Sequence, residues 1–142
     1  FIGDVPVVSS IKSQFSIPNL RRRSSGSRPT VGRVLLNILF IGDVVGQKSC
    51  ANLREKLPLL KKEYNIDTVI VNGENSADGN GITPVTAKYL LESGADVITT
   101  GNHCFRRKEM DAFYETSDFV IRPANFPDDV VGKGYTILDH GR

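Results

Sequence analysis

From residue 34 onward, apolar and polar positions alternate in blocks that each suit one kind of element. Val34-Leu35-Leu36-Asn37-Ile38-Leu39-Phe40-Ile41 is almost wholly apolar, as expected of a strand buried on both faces of a parallel sheet. After a loop over residues 42–49, Leu53, Leu57, Leu60 and Tyr64 recur at helical spacing, with Arg54, Glu55, Lys56, Lys61 and Lys62 on the other side. That pattern predicts an amphipathic helix, which Pro58 is expected to bend or divide. Thr68-Val69-Ile70-Val71 predicts a second strand, and the polar stretch 72–81 a loop. Residues 83–93 predict a second helix, with Pro84 suited to its first turn and Gly94 to its C-terminal cap. Residues 97–100 predict a third strand, 108–115 a third helix, 119–121 a short fourth strand and 135–138 a further one. Strands alternating with helices imply right-handed βαβ units, hence an α/β fold with a mostly parallel sheet and flanking helices.

The length of 142 residues suffices for one domain with a real core. With 39% hydrophobic and 24% charged residues and a net charge of +2, the composition is that of an ordinary soluble domain. The balance gives no ground for stable nucleic-acid or membrane-surface binding, and no apolar run approaches a membrane span. Homo-oligomerisation stays open. Cys50 and Cys104 lack the spacing of a redox or zinc motif; they read as two unrelated reduced thiols, which favours a reducing compartment such as the cytoplasm.

Residues 1–33 differ from the rest. Lys12, Arg21, Arg22, Arg23, Arg28 and Arg33 are interleaved with serines, Pro6, Pro18 and Pro29 interrupt any regular element, and no acidic residue occurs between Asp4 and Asp43. Such a segment reads as a basic extension, either a disordered tail or a targeting segment like an organellar transit peptide; in the second case the location would be an organelle matrix. Residues 34–142 form the folded part. Phe1-Ile2-Gly3-Asp4-Val5 repeats Phe40-Ile41-Gly42-Asp43-Val44, but the match stops there, so it is not a structural repeat. The chain starts at Phe1 and stops soon after the strand expected at 135–138, and it reads as the N-terminal part of a longer protein.

Ligands of open parallel sheets bind beyond the carboxyl ends of the strands. Here the first strand ends in Gly42-Asp43, the second in Asn72-Gly73-Glu74-Asn75 and the third in Gly101-Asn102-His103. On neighbouring strands these would bring two carboxylates, amide oxygens and an imidazole to one edge. Carboxylate and carbonyl oxygens suit magnesium or manganese, and imidazole suits iron or zinc. Crowded carboxylates repel one another, and bound cations relieve that cost. Taken singly, Asp43 reads equally as a cap or turn residue, Asn72 and Asn75 as turn residues, and His103 as a hydrogen-bonded structural histidine. Glu74 has no propensity reason to stand where it does. Residues 42–49 also nearly fit the phosphate-binding loop G-x-x-x-x-G-K-[ST], except that Gln47 replaces the second glycine. The alternative reading is therefore a non-catalytic phosphate- or nucleotide-binding module.

Four motifs, in order and at matching spacing, carry a resemblance: Ile41-Gly42-Asp43-Val44-Val45-Gly46, Val71-Asn72-Gly73-Glu74-Asn75, Gly101-Asn102-His103 and Ile121-Arg122-Pro123-Ala124-Asn125-Phe126-Pro127. They resemble the bacterial YmdB-type metallophosphoesterases, calcineurin-like enzymes described as 2′,3′-cyclic-nucleotide phosphodiesterases. The resemblance spans residues 34–134 and covers the N-terminal part of that family's sandwich domain. It implies a site for two metal ions (iron, manganese, magnesium or zinc, with the identity open). Asp43 and Asn75 would bind one ion, Glu74 would bridge both, and Asn102 would bind the second. His103 would donate a proton to the leaving group rather than bind metal, while a hydroxide shared by the ions attacks phosphorus. The implied substrate is a small phosphoester or cyclic nucleotide. The family's remaining ligands are histidines of its C-terminal half, so this chain alone is expected to be inactive. His140 does not match them and reads as an ordinary exposed residue. Cys104-Phe105-Arg106-Arg107 stands where the family commonly has Thr-Trp-Asp-Asn, which implies a different local pocket.

Overall fold

The computed structural model describes residues 8–15 and 34–141. Five strands form one sheet in the order β1 (Val8–Phe15), β2 (Val34–Ile41), β3 (Thr68–Asn72), β4 (Val97–Thr99) and β5 (Val120–Ile121). β2 to β5 are mutually parallel, while β1 pairs antiparallel with β2 along its whole length, from Val8 opposite Ile41 to Phe15 opposite Val34. The hydrophobic pattern predicts no element before residue 34, so β1 is an addition to it. The tail or targeting reading of residues 1–33 otherwise falls on 1–7 and 16–33, outside the described residues.

The register aligns Ile41 with Val71, Val71 with Ile98 and Ile98 with Val120. These side chains share one face and, with Leu39 and Val69, pack against Leu53 and Leu57 of α1 (Gly46–Tyr64), Ala87 and Leu90 of α2 (Pro84–Glu92), and Tyr114 of α3 (Asp111–Thr116). A parallel sheet wound in strictly sequential order places every right-handed crossover on the same side, so the core is one-sided. Ile38, Phe40 and Ile70, on the opposite face, are only half-buried. The first strand is therefore not buried on both faces by the described residues, contrary to its uninterrupted apolar sequence.

What crosses the second face is an extended segment. The Arg122 amide donates to the Lys133 carbonyl at 2.9 Å beyond β5, and Thr68 Oγ1 hydrogen-bonds His140 Nε2 at 2.9 Å at the start of β3. Between these anchors Thr136 and Leu138 face inward, while Tyr135 and Ile137 are 73% and 82% exposed. The strand expected over 135–138 is thus a strap: its alternation of exposure is real, but it joins no ladder of the sheet. His140 is correspondingly half-buried and bonded, not the free exposed residue expected.

α1 runs without a break through Pro58. It ends at Asn65, whose left-handed conformation (φ 49°) lets its N–H cap the Lys61 carbonyl. α2 opens with a reciprocal capping box between Thr83 and Thr86 and has Pro84 at its first position. The third helix is shorter than expected, a 3₁₀ turn at Lys108–Met110 leading into α3. Leu57 is fully buried between α1 and the sheet. Leu57→Ala is expected to lower the unfolding free energy by roughly 2–5 kcal/mol, read from urea denaturation; a loss below that range would show that the α1 face carries little of the core.

Candidate active site

The sheet ladder continues past the strand ends. The Val44 amide donates to Asn72 O (3.1 Å), Gly73 to Thr99 O (3.0 Å) and Thr100 to Ile121 O (3.1 Å). These bonds hold the three strand-end loops side by side, as expected from their sequence positions. Asn75 is fixed from both sides, since its carbonyl accepts from the amides of Gly46 (3.0 Å) and Gly79 (2.9 Å). The N–H of Gly46, the first residue of α1, is thereby used internally, which removes one of the donors that a phosphate-cradling loop over 42–49 needs.

Three predicted residues form a continuous chain of bonds. Asn75 Nδ2 donates to Asp43 Oδ1 at 2.7 Å, and His103 Nδ1 lies 2.7 Å from Asn75 Oδ1. A carboxylate accepts only, so the amide must turn its NH₂ toward Asp43 and its oxygen toward the ring. That oxygen also accepts only, so His103 Nδ1 carries a hydrogen and Nε2 is left as the exchangeable position. Asp43 adopts φ 48°, a left-handed conformation that Asp tolerates. It is exposed and, contrary to the cap reading, makes no cap hydrogen bond to α1.

Glu74 joins the same cluster from below. Its Oε2 accepts from the His103 amide at 3.2 Å and its Oε1 makes a long contact of 3.5 Å with Asn72 Nδ2. Its carboxylate lies directly on Gly101, where a Cβ would overlap it. Gly101 thus serves close approach as well as the turn, which closes with the Cys104 amide donating to Gly101 O at 3.1 Å. Asn102, the fifth predicted residue, is exposed on this turn and outside the chain of bonds. Among the described residues neither Asp43 nor Glu74 has an ion-pair partner. Two carboxylates without a counter-cation, together with an exposed amide, form a donor set of hard oxygens that fits a divalent cation. The set is partial: the described residues contain no group of three or more His, Cys, Asp and Glu placed to hold a metal.

Two further residues support the site: Arg122, part of the fourth sequence motif but given no role by it, and Tyr114, which the sequence does not single out. Arg122 is buried and its guanidinium donates to the carbonyls of Pro123 (3.1 Å), Pro127 (3.1 Å) and Val130 (3.3 Å), which gives the motif around it a structural purpose. Tyr114 is fully buried beneath the Gly101 turn, and burial pushes its hydroxyl up to about 12, so it remains a donor at neutral pH. Each looks locally like an ordinary strand-end or helix residue. Cys50 and Cys104 are free and buried, and burial raises both thiols.

The model of the YmdB-like protein family matches residues 39–142. The chain belongs to the YmdB-like family. It is 46% identical over 103 residues to a 2′,3′-cyclic-nucleotide 2′-phosphodiesterase of Bacillus subtilis, covering 72% of this chain and 39% of that protein. It is 35% identical over 104 residues to a putative phosphatase/phosphodiesterase of Mycoplasma genitalium, covering 70% and 37%. Among solved structures, a hypothetical protein from Thermus thermophilus superposes with a TM-score of 0.67 at 39% identity, over 73% of this chain and 40% of that one. A novel phosphatase from Mycoplasma pneumoniae gives 0.65 at 33% identity, over 70% and 37%. The YmdB-like chain thus spans about two fifths of the length of the relatives it matches. Asp43, Glu74, Asn75, Asn102 and His103 all fall within the matched residues.

Gly101→Ala is expected to lower stability by about 1–3 kcal/mol through overpacking and to push Glu74 off the His103 amide. Urea titration and hydrogen exchange of that amide measure both effects; wild-type values in the variant would mean that the two groups do not touch.

Proposed function

We propose that the intact protein is a metal-dependent phosphodiesterase acting on a small phosphoester, with a cyclic nucleotide as the substrate that the Bacillus relative's name supports. The observation that carries this reading is the Asp43–Asn75–His103 chain, with its fixed ring orientation and free Nε2, set beside an unneutralised Glu74. Asp43, Glu74, Asn75 and Asn102 would hold the metal ions, two in number, with further ligands from elsewhere in the intact protein. Asn75 Oδ1 retains a second lone pair for this beyond the one given to His103. When bound, such ions polarise a phosphoryl oxygen and acidify water.

The chain's own contribution is proton delivery. In its cationic form His103 donates the Nε2 proton to the leaving ribose oxygen and keeps the Nδ1 proton on Asn75. The Asp43 carboxylate fixes the Asn75 amide in the orientation that holds the Nδ1 hydrogen in place. Glu74, held by the His103 amide and pressed on Gly101, keeps the turn at a fixed distance from the second strand end. The Gly46 donor is spent on the Asn75 carbonyl, which counts against a phosphate-cradling loop over 42–49.

Glu74→Gln in the intact protein is expected to abolish metal-dependent hydrolysis of a cyclic nucleotide. His103→Ala should lower kcat by about 10²–10⁴-fold for a ribose leaving group and far less for p-nitrophenolate, which needs no proton. An equal loss on both substrates would remove His103 from the role of proton donor.

A further inference from the structure

The turn that carries Asn102 and His103 is bounded by Thr100 and Cys104, and one buried hydroxyl reaches both. Tyr114 Oη donates to Cys104 O at 3.0 Å and to Thr100 Oγ1 at 3.2 Å. Thr100 has already committed its hydroxyl hydrogen to Ile121 O at 2.8 Å, so it can only accept from Tyr114. The single phenolic proton is therefore shared between the two ends of the turn. The ring is held in place on its other sides: Phe105 packs edge-on with centroids 5.8 Å apart, and Phe126 packs on Phe105 at 5.3 Å. Gly132 approaches so closely that a Cβ there would lie 3.0 Å from the Tyr114 Cβ. The tyrosine cannot withdraw from the turn without disturbing β5 and the loop that follows it.

We propose that Tyr114 is a positioning residue for the phosphodiesterase site, clamping both ends of the Gly101-Asn102-His103 turn so that the His103 ring stays aligned with Asn75. This rests on the proposed activity for its kinetic consequences, but the clamp itself is independent of it. Phenylalanine would fill the same space and leave the buried Cys104 carbonyl without its partner. A buried carbonyl recovers a partner by moving toward water, and here that movement carries the neighbouring His103 with it. Since a displacement of about 1 Å can cost up to two orders of magnitude in rate, the effect falls on turnover rather than on substrate affinity.

The test is Tyr114→Phe in the intact protein. Exchange of the His103 and Cys104 backbone amides is expected to rise about tenfold, while Val69 and Val71 in β3 keep their protection. With a cyclic nucleotide, kcat should fall about tenfold and KM should change less than about twofold. In a His103→Ala background the same substitution should cost less than about threefold, because its effect passes largely through that ring. Unchanged exchange at the turn, a uniform rise across the sheet, or a full tenfold loss in the His103→Ala background would each overturn the proposal. A wild-type protein that hydrolyses no phosphodiester would overturn the activity reading instead, and the exchange measurement would still decide the clamp.

Discussion

The parallel ladder from β2 to β5 is the constraint on which everything else rests. It continues through Val44–Asn72, Gly73–Thr99 and Thr100–Ile121 after the strands have ended. Each such bond contributes only about 1 kcal/mol net, but a buried amide deprived of its acceptor costs more than the bond supplies. A one-residue slip would also turn Ile41, Val71, Ile98 and Val120 away from the helices. The register is therefore held both by the core and by the loops. Asp43, Glu74 and His103 are far apart in sequence, and only this alignment brings them together.

The same winding order explains an asymmetry. The helices of the described residues lie on one face, so the hydrophobic core and the site are supported from that side, while the other face is crossed by the strap ending at His140. Ile38, Phe40 and Ile70 are accordingly half-buried, whereas Ile41, Val71 and Ile98 on the helix side are fully buried.

Element types were legible because they follow local periodicity: an apolar run, a helical stripe, a capping Thr83 before Pro84. The convergence of the three strand-end loops was legible too, since it needs only the rule that parallel strands end at one edge. What failed was whatever depended on partners distant in sequence. Residues 135–138 alternate like a strand, and nothing local says that they join no ladder of the sheet. β1 lies in a segment whose basic, serine-rich composition suggested no structure at all. Pro58 does not divide α1, which runs continuously from Gly46 to Tyr64. Arg122 lies in a recognisable motif but its role there is not legible, and Tyr114 carries no signal at all, because both act by hydrogen bonds to main-chain carbonyls that any residue type supplies.

The central amide of the cluster shows why residue identity matters there. Asn75 has one accepting end and one donating end, and its neighbours are an obligate acceptor, Asp43, and a ring nitrogen that can do either. The carboxylate orients the amide, and the amide oxygen then assigns the hydrogen on His103 Nδ1. A carboxylate at position 75 would lose this direction, since it would repel Asp43 and would no longer offer it a hydrogen. A lysine or arginine would neutralise Asp43 but could not accept from the ring at all. An amide with its backbone fixed by Gly46 and Gly79 passes the orientation set by Asp43 on to the ring. The imidazole is left with one exchangeable nitrogen outside the protein's own bonds.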